Sequence, residues 1–211
     1  MKTVPDFETI QTEEELRAIL GYPGELVKNK VINILDGHCR QFISQSPLLM
    51  IATSDHEGRC DVSPRGDAPG FVLVLDDRHL VIPERPGNRR MDSLRNLLSN
   101  PRAGLIFMIP GLEETLRVNG RAYIVKDEKL LQQMESHGRN PLVGIVIEVE
   151  ECYSHCAKAL KRSSLWNPES WMSKEKLPNI AQMIADHVKL PGMSAEKVAE
   201  SLNESYTKRL Y

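Results

Sequence analysis

Between Leu48 and Val149 the sequence is a succession of short apolar runs separated by turn residues, and this restricts the fold more than any other feature of the chain. Leu48-Leu49-Met50-Ile51-Ala52-Thr53 has the length and content of a buried strand, Asp55-His56-Glu57-Gly58 supplies turn chemistry, and Arg59-Cys60-Asp61-Val62-Ser63 returns antiparallel. A second hairpin is expected from Phe71–Leu75 and His79–Ile82 across Asp76-Asp77. Ala103–Ile109, Thr115–Val125 and Leu142–Val149 read as further strands, with a bulge or bend expected where Gly120 interrupts the longest. Helices are expected at Met91–Leu98, stopped by Ser99-Asn100-Pro101, and at Asp127–Ser136. Strand follows strand without the helical crossover of a βαβ unit. The expected fold is therefore mainly β, a closed or half-open barrel with helical additions, and not a doubly wound parallel sheet.

Outside this stretch the patterns are helical. Thr12-Glu13-Glu14-Glu15 has the form of a capping box and opens a short helix that Gly21-Tyr22-Pro23-Gly24 ends. From Glu25 to Ser44 apolar residues such as Val27, Val31, Leu35 and Phe42 recur at helical spacing, with a break near Asp36-Gly37. The tail carries Ala157-Lys158-Ala159-Leu160-Lys161-Arg162, then Trp166 and Trp171, then two stretches that read as helices, Leu177–Val188 and Ser194–Tyr206, separated by Pro191-Gly192. The expected division is a helical extension over residues 1–46, a barrel core over 47–150 and a second helical extension over 151–211.

A net charge of -2 over 211 residues offers no basic face of the size that nucleic acid requires. No apolar run has the length to cross a bilayer, and Met1-Lys2-Thr3-Val4-Pro5-Asp6 lacks a signal-peptide core, so a cytoplasmic protein is expected. In that setting the four scattered cysteines stay reduced. Cys152-Tyr153-Ser154-His155-Cys156 has metal-compatible residue types but no second ligand pair at zinc-site spacing. It reads as structural, or as a ligand contact in the turn after a strand, with no metal. His38 and Cys39, beside the helix break, read as packing.

The charge that bears on function is local. Ser63-Pro64-Arg65-Gly66-Asp67 and Pro83-Glu84-Arg85-Pro86-Gly87-Asn88-Arg89-Arg90 form two arginine-bearing loops at strand ends. Guanidinium forks fit phosphate oxygens, and Gly and Pro hold the backbone open to an anion, so the loops read as a phosphate clamp. The competing reading pairs Arg65, Arg89 and Arg90 with Asp61, Asp67 and Asp92 in surface ion pairs. No His, Cys or carboxylate has a spacing that identifies an acid–base catalyst.

The same segments carry a family resemblance. Asp61-Val62-Ser63-Pro64-Arg65-Gly66-Asp67, Ile82 to Arg90, Asn100-Pro101 and Leu116 to Ala122 resemble the pyridoxamine 5'-phosphate oxidase-like superfamily of FMN-binding split β-barrels, and most its probable FMN-dependent enzymes. The resemblance implies an FMN-dependent oxidoreductase acting on a small molecule or electron donor. It implies a homodimer with FMN in a groove at the subunit interface, and the second helical extension would pack on that interface. The implied cofactor-binding set is Ser63, Pro64, Arg65, Gly66, Asp67, Ile82, Pro83, Arg89, Arg90 and Trp166. Arg65, Arg89 and Arg90 would hold the phosphate, Ile82 and Pro83 would line the isoalloxazine, and Trp166 would come from the second subunit. The carboxy-terminal segment that grips pyridoxine phosphate in the oxidase itself has no counterpart before Tyr211, so vitamin B6 oxidation is not implied. A flavin- or haem-binding carrier and a deazaflavin-dependent reductase are the alternatives on the same barrel.

Overall fold

A computed structural model describes residues 7–211; the first six residues, where no signal-peptide core is expected, lie outside the described residues. The chain divides into two compact units, one ending at Val31 and one running from Ile32 to Tyr211. In the first, α1 (Glu13–Leu20) is capped by Thr12, whose hydroxyl accepts the Glu15 amide at 3.2 Å. The reciprocal half of the box shifts by one residue, because the Glu15 carboxylate accepts the Gln11 amide. Gly21, at φ 74°, closes the helix, and α2 (Glu25–Asn29) follows. Neither helix buries a residue.

The continuous helical pattern expected from Glu25 to Ser44 is not continuous. Residues 30–36 run non-helically, and Ile32 exchanges backbone hydrogen bonds with Cys152. α3 (Gly37–Gln45) then starts at Asp36, whose carboxylate accepts the Cys39 amide at 2.8 Å. Helical spacing of apolar residues cannot distinguish one long helix from two short ones joined by a strand-like segment.

Seven strands make one antiparallel sheet: β1 (Leu48–Ser54), β2 (Cys60–Gly66), β3 (Leu73–Val74), β4 (His79–Pro83), β5 (Arg102–Met108), β6 (Thr115–Val125) and β7 (Gly144–His155). Their order is β2-β1-β5-β6-β7-β4-β3. The sheet curls on itself: Leu49 and Ile51 of β1, Ile82 of β4, Phe107 of β5, Val118 of β6 and Ile147 of β7 share one core cluster although their strands span the sheet. This is a split β-barrel with helical additions, as the strand succession implied.

Two strands differ from expectation. β3 is reduced to two residues, and the chain before it is tied elsewhere, with Asp67 donating to the Pro47 carbonyl, Gly70 to that of Ser46 and Phe71 to that of Ala68. β7 continues to His155, so Cys152 to His155 lie in a strand and not in the turn after one. The register of β6 on β7 shifts between Asn119 and Gly120, with Asn119 opposite Glu151 and Gly120 opposite Val149.

Four of the helices around the sheet are short: α4 (Asp92–Ser99), α5 (Glu128–Gln132), α6 (Lys158–Ser163) and α7 (Ile180–Val188). The last, α8 (Ala195–Lys208), packs on α7. Among the described residues no helix is long and apolar enough to cross a membrane.

Candidate functional site

Alternation along β2 decides which of its residues meet the barrel. Asp61, Ser63 and Arg65 pair with Thr53, Ile51 and Leu49, all of which point inward, so the three polar side chains stand on the barrel side of an edge strand. There they meet the start of α4. Ser93, 2% exposed, lies within 2.9 Å of the Ser63 hydroxyl and donates to the Asp61 carboxylate at 2.8 Å. Arg65 donates to the Ser63 hydroxyl and to the Pro64 carbonyl, each at 2.9 Å. Since a hydroxyl has one proton and Ser93 spends its own on Asp61, Ser63 donates to Ser93. A polarised chain therefore runs from Arg65 through Ser63 and Ser93 to Asp61. Such chains strengthen each member bond.

Arg65 also donates through Nε to Glu84, at 2.9 Å, and so ties the edge strand β2 to the end of β4. Both side chains are largely covered, where an ion pair is screened less than on the surface. Of the two arginine-bearing loops, the sequence brings together Ser63, Pro64 and Arg65 with three residues it did not nominate as ligands: Asp61, Glu84 and Ser93. Ser93 carried no local signal. A serine near a helix start is common, and only the packing of α4 on β1 and β2 turns it toward Ser63.

Arg89 and Arg90 precede α4. Arg89 adopts φ 61° and Met91 φ 59°, and Met91, the residue before the helix, provides no side-chain cap. The first amides of α4 thus lack a side-chain cap, directly after the segment carrying both arginines. Arg90 donates to Asp92 at 2.8 Å and remains mostly exposed. The Asp92 carboxylate, with a smaller contribution from Asp61, raises the Arg90 pKa above its ordinary value. Arg89 is exposed and has no hydrogen bond or ion pair among the described residues.

The other nominated residues go elsewhere. Gly66 ends β2 beside Leu48. Asp67, with a side chain 2% exposed, accepts from Arg85 Nε at 2.8 Å and from the Tyr211 hydroxyl at 2.9 Å. Burial would raise its pKa, but the Ala68 amide, the Tyr211 hydroxyl and the Arg85 guanidinium together hold it below the usual carboxylate value. Asp67 and Arg85 border a cleft of about 460 Å³ also lined by Ser44, Phe71, Glu135 and Ser136, apart from the Arg65 chain. Ile82 is fully buried in the core and Pro83 is buried at the strand end. Trp166 donates its indole N–H to the Leu112 carbonyl at 2.9 Å, which pins the segment after α6 to the β5–β6 connection.

Chemically, the uncapped start of α4 and the exposed arginines before it offer N–H donors that can serve an anion, and Ser93 joins that start to the chain from Arg65 to Asp61. Residues 35–156 match the family model described as pyridoxamine 5'-phosphate oxidase. No curated protein matches the chain. Among solved structures, a putative pyridoxamine 5'-phosphate oxidase from Lactobacillus delbrueckii is 20% identical, with 58% of this chain and 95% of that one covered at a TM-score of 0.46. HupZ from Group A Streptococcus is 18% identical, with 56% and 92% covered at 0.46. HutZ, a heme storage protein from Vibrio cholerae, is 18% identical, with 57% and 93% covered at 0.41. Because the family model spans more than half of the sequence, from Leu35 through the whole barrel to Cys156, the chain belongs to the pyridoxamine 5'-phosphate oxidase family.

Proposed function

We propose that this protein is an FMN-dependent oxidoreductase that works as a homodimer, with the cofactor phosphate held at the start of α4. The observation that carries this reading is the uncapped amino terminus of α4 directly after Arg89 and Arg90, with Ser93 anchored to Ser63 and Asp61. The donor set fits a phosphate monoester. Free helix amides favour an anion, Arg89 has no competing partner among the described residues, and the single Asp92 contact leaves Arg90 with donors to spare. Arg65 acts mainly as a positioning residue, because Glu84, Ser63 and Pro64 occupy most of its donors.

Bound FMN would supply hydride or electron transfer. The chain's own part is to orient the cofactor, neutralise its phosphate and keep water from the barrel side of β2. Ile82 and Pro83, buried at the end of β4, give a stiff wall and not a flexible one. A second copy is supported by the outer face of β2, β1 and β5. Val62 is 65% exposed there, beside a groove of about 450 Å³ lined by Ala52, Gly104 and Asn119.

The test is to purify the protein, record its visible spectrum, and titrate it with FMN and with riboflavin. Flavin bands are expected, and Arg89→Ala/Arg90→Ala should weaken FMN binding about 10- to 100-fold, the worth of one or two hydrogen bonds to a charged group, with little change for riboflavin. Equal losses for the two ligands would remove the arginines from the phosphate site. A Soret band, or failure to take up FMN, would replace the flavin reading with a haem or deazaflavin one.

A further inference from the structure

Two of the four cysteines meet. Cys39, on the first turn of α3, and Cys152, in β7, are 113 positions apart in sequence, yet their sulfurs lie 3.2 Å apart. Both are buried, Cys152 completely and Cys39 to within 7%. Backbone contacts hold each from its own side. Cys152 exchanges both hydrogen bonds with Ile32, and the Cys39 amide donates to Asp36 while Leu35 donates to the Asp77 carbonyl. A disulfide has its sulfurs about 2.05 Å apart, so roughly 1 Å of side-chain travel separates this pair from a bond. Cys60 and Cys156 are exposed and have no cysteine partner.

We propose that Cys39 and Cys152 are a redox-active thiol pair that closes into an intramolecular disulfide on exposure to a hydroperoxide. Cys39 is the sulfur oxidised first. It retains some exposure, and the thiol of Cys152, donating to it, lowers its pKa and so favours the nucleophilic thiolate. The Cys152 thiol shifts upward, chiefly because it donates that bond and secondarily through burial. The Cys39 thiolate attacks one peroxide oxygen, the O–O bond breaks, and a sulfenic acid and hydroxide form, the hydroxide becoming water. The Cys152 sulfur then bonds to the Cys39 sulfur, the S–O bond breaks, and hydroxide leaves with the Cys152 proton as a second water. Overall, two thiols lose two hydrogens and one peroxide becomes two waters. The cross-link joins α3 to β7 and closes a loop of most of the barrel.

The experiment uses the full chain carrying Cys60→Ser and Cys156→Ser, treated with hydrogen peroxide, then denatured and assayed for thiols and intact mass. Both remaining thiols are expected to disappear with loss of two hydrogens and no added oxygen, and dithiothreitol should restore both. The melting temperature should rise by roughly 10 °C, since a loop of this length restricts the unfolded chain strongly. In the unaltered chain, peptide mapping should find Cys39 linked to Cys152. Thiols that stay titratable, oxygen retained on one sulfur, or a link between two chains would overturn the proposal.

Discussion

Asp67 illustrates how a side chain beside arginine-bearing loops can take its partners from distant parts of the chain. Its carboxylate is held by Arg85, Ala68 and Tyr211, and it ties the loop after β2 to the segment after β4 and to the residues that follow α8. The folded chain favours the ionised form, so the stabilisation is complete above the usual carboxylate value near 3.8 and is lost as pH falls through the lower folded value. Asp67→Asn should therefore cost about 2 kcal/mol at neutral pH, the worth of a hydrogen bond to a charged group. In urea melts from pH 7 to 3, the difference from the parent chain should shrink toward the acid end; a constant difference would mean that Asp67 acts through packing. The identity of such a residue is legible in sequence, but its partner is not. Asp67 and Tyr211 are 144 positions apart, and nothing local to either announces the other. Ser93 is the opposite case, a residue with an ordinary sequence context made central by the face of α4 on which it falls.

Strands were more legible than side-chain networks, because apolar runs bounded by turn residues carry their own limits. The hairpin at Asp55 is an example: the Asp55 carboxylate accepts the amides of Glu57 and Arg59, so the turn chemistry sits in the turn itself. β7 runs past its apolar signal, since its second half, Glu150 to His155, is largely polar and lacks the apolar content that marks a strand. Pairing with β6, and not composition, keeps it extended. Gly120 sits at the register shift, where a Cβ would collide with the Glu148 carbonyl and lie 3.3 Å from the Glu150 amide. Both neighbours are backbone and cannot swing away. Gly120→Val should cost about 3 kcal/mol, seen as a lower midpoint in denaturant with an unchanged slope. A variant as stable as the parent would show that β7 can re-register without penalty.

For the whole molecule, the arrangement turns on what the sheet shows to solvent. Val62, Met50 and Ile106 face outward from β2, β1 and β5, on the side opposite the Arg65 chain. If a second copy covers this face, as the proposed function requires, Val62→Glu should convert dimer to monomer in sedimentation velocity and weaken FMN binding together with it. Loss of neither would move the interface elsewhere. The strand pairing has one more consequence. Up to Val149 the odd-numbered residues of β7 point inward; past the shift Cys152 does. One extra residue, Glu150, thus acts as a half-period phase step. It places Glu150 and Glu151 together at the surface and inverts the facing of the remainder of the strand, so that what would be the outer side of β7 becomes the side that closes on α3.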